Sequence, residues 1–309
     1  MQSLQNQSIR DFDVIVIDNS GRRLVAANGF TQIIFNAENL GFGGAVNQGI
    51  RASHAPFIAT LNDDAVAHPG WLAALLEAAE SRPDVGMCAS QVVLAHDGRL
   101  DSAGMLLCPD GSSKQRGHGR PPSDYPRLEP VLLPSGSAAL YRREMLDEIG
   151  LFDESFFLYC EDTDLGLRGR WAGWECLYVP GAVVEHRYSH SAGKASALKA
   201  YFVERNRLFL ALKNLPVSVL LAMPFHSCSR YFWHLIFGLQ GRGAASAFQQ
   251  AGNSSYALPA IVLKAHRAFF QNARRLWQQR RCIKRRLTVR QFRRLLARFS
   301  ITPRQVAAL

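Results

Sequence analysis

The last third of this 309-residue chain contains no acidic residue. Residues 205–309 hold 19 Lys and Arg and no Asp or Glu, a balance of +19, while residues 1–204 hold 17 Lys and Arg against all 25 acids, a balance of −8. So sharp a split predicts two regions with different partners. Cysteine is scarce. The six, Cys88, Cys108, Cys160, Cys176, Cys228 and Cys282, include no pair at zinc-ligand spacing, and the chain is too long to need disulfide staples, so they read as reduced, cytosolic thiols. The opening MQSLQNQSIRDFD lacks the basic and apolar parts of an export signal, which argues for retention in the cytosol. There is no internal repeat, and no Ser-His-Asp or Cys-His constellation that would supply a protein nucleophile. At 48% hydrophobic, the chain can bury one sizeable domain plus an appendage.

What is present is an alternation of strand and helix signals. DVIVIDNS (13–20), TQIIFN (31–36), PFIATL (56–61) and VGMCASQVVL (85–94) read as buried strands. A Gly-rich turn and short helix lie in NLGFGGAVNQGIRAS (39–53), and GWLAALLEAAESR (70–82) is a helix with Pro69 suited to its first turn. This order predicts an α/β domain with a mainly parallel sheet flanked by helices. Residues 108–130 form a long polar Gly/Pro-rich loop of the kind that is mobile or functional. Residues 131–173 give a strand, a helix, an aromatic turn and another helix; 174–191 add one or two strands ending in histidines.

Ligands of such sheets sit beyond the carboxyl ends of strands. Two acidic pairs fall there, Asp18-Asn19 and Asp63-Asp64. Asp63 and Asp64 lie too early to cap the helix that begins near Pro69; they are either a solvated turn or hard oxygen ligands for Mg²⁺ or Mn²⁺. Glu161, Asp162 and Asp164 open a helix that closes with Arg168 and Arg170, an arrangement that complements the helix dipole. The aromatic lead-in Phe156-Phe157-Leu158-Tyr159 would also keep these acids partly dry, and desolvation suits a carboxylate to act as a base. His186 and His190 follow the strand-like GAVVEH; they are structural, or a neutral imidazole facing Asp64 completes a metal shell.

Taken in order, these segments resemble the family-2 inverting glycosyltransferases of the GT-A fold, closest to the rhamnosyltransferase-like branch that builds bacterial surface polysaccharides. The resemblance rests on VIVIDNS, NAENLGFGGAVNQGI, LNDDA, LPSGSAALYRREMLDEIGLFDESFFLYCEDTDLGLR and YFVERNRLFLALKNLP, and covers about residues 1–215 as the catalytic domain. It implies a nucleotide-diphosphate sugar donor, with deoxythymidine-diphosphate rhamnose suggested by the branch, and a glycan or lipid-linked acceptor. Asp18 would accept hydrogen bonds from the pyrimidine. Asn39, Gly41, Gly43, Gly44 and Asn47 would shape a loop close to the nucleotide. Asp64 would bind the metal with Asp63 or Asn62 in support and His186 as a further ligand. Asp162 would be the general base, Glu161 would orient it or contact the acceptor, and Arg205 and Arg207 would meet the diphosphate. Asp64 and Asp162 would then line one pocket. The chain starts inside the family's first helix, so a strand near the sheet centre is expected to be missing.

Two other readings share these features. A nucleotidyltransferase on a related fold would use the metal carboxylates without the CEDTDLGLR element. A truncated, non-catalytic chain would bind membrane or partner proteins. Residues 216–309 read as a basic, amphipathic helical region. PVSVLLAMPFHSCSRYFWHLIFGL (216–239) is interrupted by Pro224, His226, Arg230 and His234, which suits a helix lying in the bilayer interface rather than across it. KAHRAFFQNARRLWQQRRCIKRRLTVRQFRRLLARF (264–299) alternates apolar anchors with arginines, favouring an anionic membrane surface on the cytoplasmic side over nucleic acid.

Overall fold

The structure, a computed structural model, describes residues 1–26, 29–187, 196–254 and 257–309. In chain order the elements are α1 (Gln2–Gln5), β1 (Val14–Asp18), β2 (Thr31–Phe35), α2 (Gly41–Ala52), β3 (Phe57–Leu61), β4 (Ala65–Ala67), α3 (Trp71–Glu80), β5 (Val85–Leu94), β6 (Leu100–Ser102), β7 (Met105–Leu107) and β8 (Ser113–Gln115). They continue with β9 (Glu129–Pro130), β10 (Ala138–Arg142), α4 (Arg143–Ile149), α5 (Glu161–Trp171), β11 (Glu175–His186), α6 (Ala197–Asn214), α7 (Val217–Leu239), α8 (Gly243–Gln250), α9 (Ala257–Cys282), α10 (Val289–Arg298) and α11 (Pro303–Ala308).

The main sheet runs β3-β10-β5-β11-β4, with β6 on β5 and β9 on β11. β5 carries the core: nine of its ten residues are buried, because both faces are covered. On one face Met87, Tyr141 and Tyr178 pack with Met145, Leu165 and Phe152; on the other Cys88, Leu140 and Val184 pack with Trp71 and Leu75 of α3. The sheet is mixed rather than mainly parallel. β5 and β11 are parallel, but β10 runs against both β3 and β5. β10 is entered through the turn at Ser135–Ser137, with no helix between it and β9, and only parallel neighbours need a crossover.

β1 and β2 form their own parallel pair. β1 is bonded along one edge only, to β2, and β3 along one edge only, to β10, so among the described residues no strand joins the two sheets. α2 bridges them: Gly49 lies against Ile17 of β1, while Val46 and Ile50 join the cluster that includes Ile58 of β3.

The basic region is packed onto the rest. Trp171 of α5 stacks on Phe292 of α10 with centroids 3.7 Å apart, and Leu167, Phe209, Leu276 and Phe292 share one buried cluster. Arg280 donates to the carbonyls of Leu212 (2.9 Å) and Leu215 (2.6 Å), closing the end of α6. Among the described residues no helix is long and apolar enough to cross a membrane.

Candidate active site

β3 ends at Leu61, and its continuation is fixed where the Asn62 N–H donates to the Ser137 carbonyl (2.9 Å). The chain then turns into β4, which pairs with the end of β11 so that Ala65 lies opposite His186. This brings Asp64 Oδ1 to 3.2 Å from His186 Nε2, as a metal-ligand reading of the sequence required. His186 Nδ1 in turn meets Asp101 Oδ2 at 2.9 Å, and Asp101 Oδ1 lies 3.3 Å from His118 Nδ1. Burial resists protonation of His186, but the Asp101 hydrogen bond and the charges of Asp101 and Asp64 outweigh it and raise its pKa. Burial likewise disfavours the Asp101 carboxylate, yet the two imidazoles hold its pKa below the ordinary value.

This set fits a divalent cation. Asp64 Oδ1 is buried and faces the His186 imidazole. An oxygen and an imidazole nitrogen are suitable donors, and a carboxylate behind the imidazole, here Asp101, is the usual support of a ligating histidine. Among the described residues no group of three or more His, Cys, Asp and Glu is arranged to hold a metal ion by itself. Two protein donors leave positions for water and substrate phosphate, the coordination Mg²⁺ prefers. Asp63 is exposed and, with Asp64, His68 and Arg187, lines a cleft of about 870 Å³. His190 lies outside the described residues.

The second acidic cluster separates into distinct roles. Asp164 is fully buried in an ion network, accepting from Arg168 (2.9 Å), Lys213 (2.9 Å) and Asn214 (2.8 Å), so it is structural. Asp162 is held by the Gly136 N–H on Oδ2 (3.0 Å) and by the Thr163 N–H and hydroxyl on Oδ1 (2.6 and 3.1 Å). Burial raises its pKa against these hydrogen bonds. Glu161 is buried with Oε2 unbonded among the described residues; burial first, then the charge of Asp162, push its pKa well up. Burial thus raises both pKa values, that of Glu161 well above the ordinary range, while the Gly136 and Thr163 donors oppose the rise at Asp162. Asp162 and Asp64 are linked through one turn, since Gly136 holds Asp162 and its neighbour Ser137 holds Asn62. Among the described residues, the 870 Å³ cleft is lined by Asp64 and not by Asp162.

The segment before α5 is strained. Phe157, Tyr159 and Cys160 all have positive φ (63°, 71° and 67°), which for bulky residues is an outlier. Asn206 over-determines it by donating to the carbonyls of Phe156 (2.9 Å), Leu158 (2.8 Å) and Tyr159 (2.7 Å). Arg205 adds bonds to Ser155 O (3.0 Å) and Phe156 O (2.8 Å). Arg205 is thus committed to this turn rather than to a diphosphate. Arg207 is corrected more firmly. It is fully buried, chelated by Glu204 and bonded to the Asp110 carbonyl (3.0 Å), Ser227 Oγ (3.2 Å) and Tyr231 Oη (2.7 Å).

The Gly-rich segment also serves the strained turn. Gly41 has φ +76°, and a Cβ there would sit 2.2 Å from the Phe157 carbonyl, to which the Phe42 N–H donates (2.8 Å). Gly43 lies against Phe152, and Gly44 only against Leu40 within α2's own first turn. Asn47 is buried, exchanging two hydrogen bonds with the Phe152 backbone (2.9 and 3.0 Å) and donating to Glu154 (2.9 Å). Gly41, Gly43 and Asn47 therefore seat the 152–161 segment instead of forming a free nucleotide loop. Asn39 belongs to a polar knot with Asn19 and Asn36 at the ends of β1 and β2: Asn39 Oδ1 accepts from Asn19 Nδ2 (2.9 Å) and the Gly41 N–H (2.8 Å), while Asn19 Oδ1 accepts from Asn36 (3.0 Å) and the Leu40 N–H (3.0 Å). Asp18 is buried at the end of β1 and accepts from Ser20 and from the Val25 N–H (3.0 Å); the Ser20 hydroxyl bond leads the causes that lower its pKa.

Sequence reasoning missed Asp101, His118, Gly136 and Asn206. Only His118 carried a signal, its place in the long loop 108–130.

Residues 4–210 match the family model described as glycosyltransferase like family 2. The chain is 33% identical over 242 residues, 68% of its length and 78% of the relative's, to an N-acetylglucosaminyl-diphospho-decaprenol L-rhamnosyltransferase of Mycobacterium tuberculosis. It is 28% identical over 203 residues, 59% of its length and 22% of the relative's, to an uncharacterized protein, y4gI, of Sinorhizobium fredii. Among solved structures, GalNAc-T7 with UDP, GalNAc and Mn²⁺ superimposes with TM-score 0.54 at 14% identity, over 68% of this chain and 44% of that one, a likeness of fold.

Proposed function

This chain belongs to glycosyltransferase family 2, and from that premise we propose that it transfers a sugar, with inversion, from a nucleotide-diphosphate donor to a lipid-linked acceptor in cell-envelope polysaccharide synthesis. The observation that carries the reading is the pair of hydrogen bonds, Gly136 N–H to Asp162 (3.0 Å) and Asn62 N–H to Ser137 (2.9 Å), that seats a desolvated carboxylate beside the strand end bearing Asp64. The nucleotidyltransferase alternative has no use for that carboxylate and falls away.

Asp64, with His186 and with Asp63 beside it, would hold Mg²⁺ or Mn²⁺, whose Lewis acidity neutralises the departing diphosphate. Asp162 takes the proton from the acceptor hydroxyl as that oxygen attacks the anomeric carbon from the face opposite the diphosphate. One displacement needs one base and no protein nucleophile. Glu161 orients Asp162 or contacts the acceptor. Asp18 and Asn39 flank the nucleotide at the ends of β1 and β2. The named activity of the mycobacterial relative supports rhamnose as the sugar transferred and a diphospho-lipid glycan as acceptor.

Residues 1–215 form the catalytic part and 216–309 the membrane-facing part, divided by chemistry more than by packing. α7 turns Leu221, Phe225, Phe232, Leu235 and Leu239 outward while Ser227 and Arg230 face inward. α9 exposes Leu263, Phe270 and Trp277 among its arginines. Such faces suit the surface of an anionic membrane on its cytosolic side. The experiment that tests the reading is transfer by Asp162→Asn measured beside donor binding.

A further inference from the structure

The long loop between β8 and β9 carries a histidine that the foregoing mechanism does not use. Residues 116–120 run beside β6. The Leu100 N–H donates to the Arg120 carbonyl (2.8 Å), the Gly119 N–H to the Leu100 carbonyl (2.8 Å) and the Ala103 N–H to the Arg116 carbonyl (2.9 Å). Gly117 turns this segment at φ +77°, where a Cβ would meet the Tyr125 ring at 2.9 Å and Leu100 Cδ1 at 3.0 Å. The pairing delivers the half-buried His118 ring to Asp101, the middle residue of β6.

His118 Nδ1 lies 3.2 Å from the Asp101 carbonyl oxygen and 3.3 Å from Asp101 Oδ1. Both oxygens are acceptors, so Nδ1 carries the proton and is shared between the backbone and the side chain of one residue. A donor held in common in this way fixes the Asp101 rotamer. The second carboxylate oxygen, Oδ2, is then the one that meets His186 Nδ1, at 2.9 Å. An acceptor at Nδ1 leaves His186 Nε2 aimed at Asp64 Oδ1, 3.2 Å away. Asp101 is only 4% exposed, so water does not compete for its oxygens. His118, Asp101, His186 and Asp64 thus form one row that reaches from the loop to the strand end.

We propose that His118 is a positioning residue for the cation site: by clamping Asp101 it sets the orientation in which His186 presents Nε2 beside Asp64. The inference rests on the metal site of the sugar-transfer reading and deepens it. His118 acts through Asp101 and not on the cation itself, since its Nδ1 is spent on Asp101. The partners behind a ligating histidine fix its ring and its basicity, and affinity for the metal falls when they are removed. A role confined to fold stability would leave that affinity unchanged.

The test is titration of Mn²⁺ alone into the full chain, with the free ion measured by electron paramagnetic resonance. Asp101→Asn should weaken binding about tenfold or more, as loss of the carboxylate behind a ligating histidine does. His118→Gln, whose amide falls at the place of Nε2 and not of Nδ1, should weaken it about fivefold, less because it acts one step further out. His118→Leu removes every donor and should act alike, which secures the reading if one of the two fails to fold. His118→Asn puts an amide N–H near the place of Nδ1 and should stay within about twofold of wild type. Made on Asp101→Asn, His118→Gln should cost less than about twofold further, because its effect passes through the carboxylate. Equal Mn²⁺ affinity in wild type, His118→Gln and His118→Leu overturns the proposal and leaves the metal site standing. So does a loss that His118→Asn does not restore, or one that is as large on Asp101→Asn as on wild type. No Mn²⁺ binding by wild type overturns the metal site and the proposal together. If sugar transfer is never observed but the coupled loss of Mn²⁺ persists, the sugar-transfer reading fails and the role of His118 stands.

Discussion

Glu161 and Asp162 are adjacent and both acidic, and burial raises both pKa values, but only at Asp162 do the Gly136 and Thr163 donors oppose the rise. Glu161 is buried without a partner for Oε2 and its pKa is pushed well above the carboxylate range, whereas Asp162 is held as an acceptor by the Gly136 and Thr163 N–H groups. A carboxyl with a raised folded-state pKa binds a proton that the unfolded chain releases above about pH 4.5, so its contribution to stability is present at low pH and lost as pH rises. Glu161→Gln mimics the protonated form and removes that dependence. Thermal melts should show the variant more stable than wild type at pH 7, with the gain shrinking toward pH 4. A variant less stable at pH 7 would mean that Glu161 is charged and paired in the folded protein. The sequence supplied the acids but not this division, because burial and the Gly136 bond come from a turn 26 residues away.

The strained turn before α5 and the first half of α6 work as one device. Three left-handed residues, Phe157, Tyr159 and Cys160, aim the start of α5, and Asn206 and Arg205 hold the carbonyls of Ser155, Phe156, Leu158 and Tyr159 around them. Asn206→Leu leaves buried carbonyls unsatisfied at a cost of roughly 2–3 kcal/mol. Because the loosened turn also releases Asp162, kcat should fall by more than tenfold while the donor KM changes little; an unchanged kcat would separate the turn from the base. Strands β1, β2, β3 and β5 were legible in the sequence from their β-branched runs, and α2 and α3 from their turns and periodicity. The direction of β10 was not, since an antiparallel neighbour leaves the same local pattern as a parallel one. Arg207 was misread as a ligand contact. Glu204, three residues earlier on the same helix, was the available sign that it would be paired internally. Asp101 was invisible because its contacts with His186 and His118 are long-range and follow no motif.

On the scale of the whole molecule, the charge split seen in the sequence becomes a division of surfaces rather than of cores. The basic C-terminal helices share a buried cluster with α5 and α6, yet leave apolar stripes outward, including Leu221 at 79% and Phe225 at 76% exposed. Vesicles containing anionic lipid should carry the protein upward in a flotation gradient, and Leu221→Asp with Phe225→Asp should abolish that without lowering the melting temperature. Flotation unaffected by both changes would place the membrane contact elsewhere. The central claim is that the Asp64 side and Asp162 serve one displacement, joined through the Ser135–Ser137 turn. Sugar transfer by Asp162→Asn, with donor affinity measured by calorimetry on the same protein, tests it most directly. The account predicts transfer reduced at least about 10²-fold, the scale of general-base catalysis, with donor affinity within about twofold of wild type. Transfer at the wild-type rate would contradict it.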